Sequence, residues 1–259
     1  MTRSPLVSLC LICAIALTSA AQDYDRVLIP LPLQPTPGAY GSSWLARVAV
    51  TNISDTPVDV RGYGSCPVPC EPEPIAPHTT VYVTDMPTAD VPAGFLLVER
   101  GRRNDLDITI RAFDRSREHI TWGATVPAVT AAELFRSRFG INDVPVTADF
   151  RTTLRIFDFD ATTPGQVRVR VYSVDPLATG RTPDKLVADF TTGFVIPTVG
   201  AGTFGHPGYV ALSLSDLPQV GGAARIRVEI DPLDDRGEYW AFVSTTHNET
   251  QHVTVIAPR

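Results

Sequence analysis

Strict alternation of apolar and charged residues is the feature that most constrains this chain. Residues 167–171 read Val-Arg-Val-Arg-Val, and residues 225–230 read Arg-Ile-Arg-Val-Glu-Ile. Successive side chains of a β-strand point to opposite faces of the sheet, so this pattern predicts antiparallel strands with one buried face and one solvated face. About fourteen short segments of this kind, separated by turns, predict an all-β fold. The 23 prolines and 18 glycines also argue against long helices.

One stretch has a helical pattern instead. Thr130 and Glu133 fit a capping box, and Leu134, Phe135 and Phe139 follow at helical spacing. A glycine after Phe139 supplies a stop signal. The spacing predicts a short helix over residues 131–139.

The two halves of the chain read alike. Residues 44–63 parallel residues 150–172, and residues 95–121 parallel residues 226–254. Two units of about 110 residues each suit seven-stranded immunoglobulin-like sandwiches. We therefore predict two tandem immunoglobulin-like antiparallel β-sandwiches, with a single large sandwich as the alternative.

The expected domain boundaries follow from this duplication. The first sandwich covers residues 22–128 and the second covers residues 148–259. Residues 129–147 form a linker that contains the short helix.

Several short motifs are spread over most of the chain. They are Ile29-Pro30-Leu31-Pro32, Pro37-Gly38 with Trp44, Val50-Thr51-Asn52, Asp149-Phe150-Arg151-Thr152, Tyr239-Trp240-Ala241-Phe242-Val243-Ser244 with Asn248, and Thr254-Val255-Ile256-Ala257-Pro258. In these motifs the chain resembles a group of secreted bacterial proteins with paired immunoglobulin-like β-sandwich repeats. The resemblance implies export and this fold. It transfers no catalytic residue, because the motifs are structural.

The first 21 residues have the order of a secretory signal peptide. Arg3 precedes an apolar stretch over residues 6–17, and small residues lead to a cleavage position after Ala21. Twelve helical residues rise about 18 Å, whereas the hydrocarbon core of a membrane is about 30 Å thick. We expect a secreted or periplasmic mature protein that does not insert into the membrane.

Cleavage would leave one pair of cysteines, Cys66 and Cys70. Export places them in an oxidising compartment, so a disulfide is the default expectation. The small loop that it closes limits its stabilising effect to about 2 kcal/mol. A redox-active or metal-binding pair is the alternative, although no second cysteine pair would accompany it in the mature chain.

Asp158 and Asp160 are the best carboxylate pair in the sequence. In a strand they share one face about 7 Å apart, a separation that glycosidases can use. A small secreted hydrolase is therefore one hypothesis. Two solvated acids at the end of a strand, before a turn, are the more ordinary interpretation.

A second acidic group lies in one turn near the C-terminus. It comprises Asp231, Asp234, Asp235 and Glu238. Hard oxygen ligands in a loop could hold calcium in a secreted protein. The spacing lacks the alternation of an EF-hand, so a solvated hairpin turn is the preferred interpretation.

Aromatic residues bear on ligand binding. Tyr40 and Phe204 lie in glycine-rich loops, where an exposed ring could stack on a sugar or anchor a protein partner. Folding back over the sandwich ends is the preferred interpretation for both rings. Trp44, Trp122 and Trp240 are expected in the core.

The segment 239–242, Tyr-Trp-Ala-Phe, has aromatic residues on both faces of a strand. Such a strand suits packing on one side within its own sandwich. The neighbouring half would then cover the other side.

These patterns favour a non-enzymatic binding or structural module that acts through loop or strand-edge contacts. Its partner would be a protein or glycan of the cell envelope, and we expect no cofactor. A carbohydrate-binding module is the first alternative and the hydrolase is the second. With 22 basic residues against 28 acidic ones and a net charge of -6, nucleic acid is not an expected partner.

Overall fold

The structure, a computed structural model, describes residues 24–32, 35–61, 73–83, 93–119, 122–159, 165–177, 183–196, 206–218, 220, 222–235 and 237–258. These residues form antiparallel strands and a few single turns of 3₁₀-helix. The strands of the first half are β1 (Tyr24–Ile29), β2 (Thr36–Pro37), β3 (Ser43–Asn52), β4 (Val58–Arg61), β5 (Glu73–Ile75), β6 (Thr80–Val83), β7 (Gly94–Glu99), β8 (Leu106–Asp114), β9 (Ala124–Val126) and β10 (Val129–Thr130). The strands of the second half are β11 (Phe139–Pro145), β12 (Phe150–Asp158), β13 (Gln166–Val174), β14 (Lys185–Gly193), β15 (Gly208–Ser213), β16 (Arg225–Pro232), β17 (Tyr239–His247) and β18 (Val253–Ile256).

The strands make four antiparallel sheets. In the first half, sheet A has the order β10-β1-β7-β4-β5, and sheet B has the order β2-β3-β8-β9 with β6 paired to β3. In the second half, sheet C has the order β15-β12-β17-β18 and sheet D the order β11-β16-β13-β14. Among the described strands, pairing stays within each half.

Sheet D shows the predicted alternation directly. Val167, Val169 and Val171 are fully buried, as are the alternate apolar residues of β16. On the other face, Arg168 pairs with Asp189 of the neighbouring strand. The period of two therefore predicted correctly which side chains of these strands enter the core.

Sheet C differs because side chains on both of its faces are buried. On its inner face, Leu154 and Ile156 of β12 join the apolar cluster that they share with sheet D. On its outer face, Phe157 and Trp240 join the cluster built from sheets A and B. Tyr239 belongs to the inner cluster and Trp240 to the outer one, which confirms the prediction that this strand is covered on both sides.

The predicted helix over residues 131–139 is wrong. A single 3₁₀ turn spans Ala131–Glu133, and Phe139 already begins β11. The Glu133 carboxylate does accept hydrogen bonds from the Thr130 amide and hydroxyl. Phe135, however, exchanges two backbone hydrogen bonds with Tyr239, so pairing with a distant strand replaces the local helical pattern. In the described part of the chain, no helix has the length and apolar character needed to cross a membrane.

The three tryptophans have different environments. Trp240 is buried, as expected. Trp44 is half-buried, and Trp122 is 78% exposed, so the core prediction is wrong for Trp122. The Arg111 guanidinium lies over its indole, 4.1 Å from the ring centroid. The exposed ring therefore has a cation-π contact outside the core.

Replacement of Phe157 tests the two-sided burial of sheet C. Its ring lies 6.1 Å from that of Phe242 and 6.2 Å from that of Trp240, between centroids, and it is 1% exposed. Phe157→Ala should lower the free energy of unfolding by about 3–5 kcal/mol, because it leaves a cavity between the halves. Urea unfolding followed by circular dichroism and tryptophan fluorescence measures the change.

Phe190→Ala, at a half-buried position of the edge strand β14, is the control. It should cost less than half as much. A loss below about 1 kcal/mol for Phe157→Ala would show that the outer face is not packed in solution.

Candidate ligand-binding cleft

A cleft with a volume of about 400 Å³ lies between the apolar face of sheet B and the outer face of sheet C. This volume falls in the range of small-molecule pockets, roughly 300–1,000 Å³. The first half supplies an apolar wall, formed mainly by Leu31, Trp44, Ala46, Ala112 and Val126. The second half supplies a largely polar wall.

The polar wall begins where the aromatic residues of sheet C end. Along β12 the outer-face residues are Arg151, Thr153, Arg155 and then Phe157, because alternate residues share a face. The aromatic end packs into the first half, and the polar end lines the cleft. Sequence order along this one strand therefore sets both the interface and the cleft.

A row of hydroxyl groups crosses this wall. Thr153 lies directly opposite Ser213 on one neighbouring strand and Ser244 on the other. All three residues line the cleft, as does Thr246. Because β12 and β17 are interior strands of sheet C, their backbone groups are used in the sheet, and the wall offers side chains for recognition.

Arg155 is the central charge of the cleft. Its guanidinium donates a 2.6 Å hydrogen bond to the Ser244 hydroxyl and lies 5.5 Å from the centroid of the Phe242 ring. Burial holds the pKa of Arg155 below its ordinary value, and the nearby Tyr209 hydroxyl acts weakly in the opposite direction. Among the described residues, no carboxylate lies within ion-pair distance of this guanidinium.

Arg151 lies two residues before Thr153 on the same face of β12. It donates hydrogen bonds to the side-chain oxygens of Asn248, at 3.0 Å, and Gln251, at 2.7 Å. Its guanidinium is 5.0 Å from the centroid of the Tyr40 ring. Of the residues described along the cleft, Asp216 is the single carboxylate, and it is exposed in the turn after β15.

Tyr40, predicted as a binding-loop residue, lies at the rim of this cleft. Its side chain is 66% exposed, so it does not fold back as a plug, and its backbone has a positive φ of 55°. The Arg117 guanidinium donates a hydrogen bond to the Tyr40 carbonyl and helps to hold this conformation. Its part in binding stays a prediction.

Asp114 fixes the loop that carries Tyr40. Its carboxylate accepts hydrogen bonds from the Ser43 amide, from the amide and hydroxyl of Ser116, and from Arg117. Burial alone would raise the pKa of Asp114, but these hydrogen bonds outweigh it and hold the pKa below its ordinary value. The charged carboxylate thus ties the rim to sheet B.

Gly38 lies directly against the Trp44 indole, and both residues line the cleft. A Cβ atom at Gly38 would come within 2.6 Å of the indole ring and 2.2 Å of the Ser42 hydroxyl. A side chain at this position would clash with these neighbours, so glycine is required for the close approach. It is not required for the backbone conformation, because any residue can adopt a φ of -116°.

Several predicted site residues lie outside the described residues. These are Cys66 and Cys70, Phe204 and Asp160, together with the signal peptide. The disulfide, the second binding loop, the carboxylate pair and export therefore stay predictions.

Asp158 is described and lies away from the cleft. It is 2% exposed and close to the buried Tyr239 ring, whose hydroxyl donates a 2.9 Å hydrogen bond to Asp234. Burial raises the pKa of Tyr239 well above its ordinary value, and the hydrogen bond to Asp234 and the charge of Asp158 raise it further.

The acidic turn near the C-terminus distributes its carboxylates among different partners. Asp231 pairs with Arg138 and Arg170. Asp234 accepts hydrogen bonds from Gly237 and Tyr239, Glu238 pairs with Arg136, and Asp235 is exposed. The described residues contain no group of three acidic, histidine or cysteine side chains that could hold a metal ion.

Arg151, Arg155 and the cleft position of Trp44 were not predicted from the sequence. One signal was present: two arginines four residues apart on a strand, on the same face as Phe157. It shows that the face changes character along its length. It does not show that sheet B faces the polar end.

No protein-family model matches the chain, and no curated protein matches it. Among solved structures, the chain is similar to the Enterococcal surface protein, partial N-terminal region. The identity is 10% and the TM-score is 0.23, over 92% of this chain and 95% of that one. A TM-score this low does not establish a common fold.

Asp114→Asn tests the anchoring of the rim. At pH 7 the variant should lose about 2 kcal/mol of stability, because the amide cannot replace the charged acceptor. The folded-state pKa of Asp114 lies below the unfolded value of about 3.9, so its contribution is complete above about pH 5 and disappears as the pH falls through the folded pKa. Urea unfolding at pH 7 and pH 3 measures the effect. The difference in the free energy of unfolding between the unmodified protein and Asp114→Asn should be smaller at pH 3 than at pH 7.

Asp107→Asn, an exposed position on the same strand, is the matched control. It should change stability by less than about 0.5 kcal/mol at pH 7. An equal loss in both variants at pH 7 would contradict the anchoring role of Asp114.

Proposed function

We propose that this protein is an exported, non-enzymatic binding module that holds its ligand in the cleft between its two halves. In this proposal the halves are tandem immunoglobulin-like β-sandwiches. The chain passes from the first to the second between Thr130 and Phe139. The grouping of the sheets into two sets supports this division, although the apolar cluster of the first half also includes Phe157, Phe159, Trp240 and Phe242 of the second half.

One observation carries the proposal: the cleft combines an apolar wall with arginines and hydroxyl groups. Ligand sites in proteins have this composition, with apolar lining and a few placed polar groups. The described lining offers side chains suited to recognition, and it does not bring together a pair of carboxylates or a nucleophile with a base.

The location outside the cytoplasm rests on the signal-peptide pattern of the first 21 residues. An exported binding module would meet proteins and glycans of the cell envelope or its surroundings. We propose these as its partners.

Blocking the cleft tests the function. Ser213 is an exposed hydroxyl residue on the edge strand β15, and it lines the cleft. Ser213→Trp places a large ring in the opening without removing a core residue. It should weaken the capture of partners from the cell envelope and exported fraction by at least about tenfold, or about 1.4 kcal/mol.

Thr191→Trp is the matched control, because Thr191 is an exposed hydroxyl residue on the edge strand β14, outside the cleft. It should capture partners as the unmodified protein does. If both variants behave alike, the ligand does not occupy the cleft.

A carbohydrate is the ligand class that a specific observation favours. The Tyr40 ring is exposed at the rim, and Trp44 lines the apolar wall. Aromatic rings stack on the apolar faces of sugars, and the hydroxyl row provides donors and acceptors for sugar hydroxyl groups.

A further inference from the structure

We propose, building on the binding function above, that the ligand is an acidic saccharide whose carboxylate or sulfate group pairs with Arg155. The first reason for an acidic ligand is the kind of partner that the two cleft arginines, Arg151 and Arg155, have. On sheet D of the same half, Arg168 and Arg227 have carboxylate partners. Arg151 and Arg155 have neutral partners: hydroxyl, amide and aromatic groups.

The second reason for an acidic ligand is the unfavourable free energy of placing the Arg155 guanidinium in this position. A guanidinium removed from water without an opposite charge is unfavourable, as the lowered pKa of Arg155 reflects. Arg155 sits on a strand face where an apolar residue could continue the packing of Phe157 and Phe242. A bound anion would complete the site, since a planar guanidinium matches the two oxygens of a carboxylate or sulfate group.

The shape of the wall favours a saccharide over an acidic peptide. An extended peptide gains affinity mainly from backbone groups at a sheet edge. Arg155 lies on the interior strand β12, between the interior strand β17 and the edge strand β15, and the wall around it presents the Thr153 and Ser244 hydroxyls. Trp44 on the opposite wall offers a ring for stacking.

Titration calorimetry with paired probes tests the proposal. One pair is tetragalacturonate and its fully methyl-esterified form, which share the same sugar chain and differ in the charge and methylation of the carboxyl groups. The other is a sulfated galactan tetrasaccharide and its desulfated form. The charged member of at least one pair should bind about tenfold more tightly, and the preferred pair distinguishes a carboxylate from a sulfate.

Arg155→Met removes the charge and keeps a long side chain. It should abolish the preference for the charged probe and leave the midpoint of thermal unfolding unchanged or raised, because a desolvated charge is lost. A merely structural arginine would lower that midpoint. Arg168→Met, on the outer face of sheet D, should keep the full preference.

Thr153→Glu provides a test that keeps Arg155. Its carboxylate, two positions from Arg155 on the same face, would occupy the site of the ligand's acid group and abolish the preference. Thr153→Gln has the same length without charge, and it should weaken both members of a pair alike while keeping the preference.

The outcomes separate the two proposals. Binding that Ser213→Trp blocks, but that is equal for charged and neutral probes, overturns the acidic ligand and leaves the cleft function standing. Binding that Ser213→Trp does not affect overturns both. If neither charged saccharide binds, the acidic-saccharide proposal is overturned. Binding of a tetraglutamate peptide and of no saccharide probe also overturns it.

Discussion

The burial of sheet C on both faces is the interaction on which the rest of this structure depends. Its inner face closes the apolar cluster of the second half, and the aromatic end of its outer face enters the cluster of the first. Burial of each such ring stabilises the fold by roughly 2–3 kcal/mol. The contact between the halves is thus part of the core. The cleft exists because this packing stops where Phe157 gives way to Arg155 along β12.

Two surfaces of the second half use arginine in contrasting ways. On sheet D, Arg168 and Arg170 alternate with acidic partners across neighbouring strands, so the charges compensate one another at a hydrated face. On the outer face of sheet C, Arg155 has a hydroxyl and an aromatic ring as neighbours. Ionisable groups whose pKa is shifted by burial are concentrated at functional sites, and burial lowers the pKa of Arg155.

At the rim of the cleft, hydrogen bonds hold Tyr40 in an unfavourable backbone conformation. Tyr40 has a left-handed backbone conformation that is uncommon for a bulky residue, and such conformations persist where surrounding contacts impose them. Here Arg117 contacts the Tyr40 carbonyl, and Asp114 fixes both Arg117 and Ser43. The exposed ring is therefore presented by a loop with a defined shape.

The sequence by itself determined the all-β class, the buried and solvated faces of strands such as β13 and β16, and the two-sided burial of residues 239–242. These features follow from the period of the strand, which is a local property. The helix over residues 131–139 failed because Phe135 pairs with Tyr239, more than a hundred residues away, and such a bond leaves no local pattern. The tertiary structure alone decided that Trp44 and Arg155 line the same cleft, because the packing of one sheet against another depends on summed contacts between distant residues.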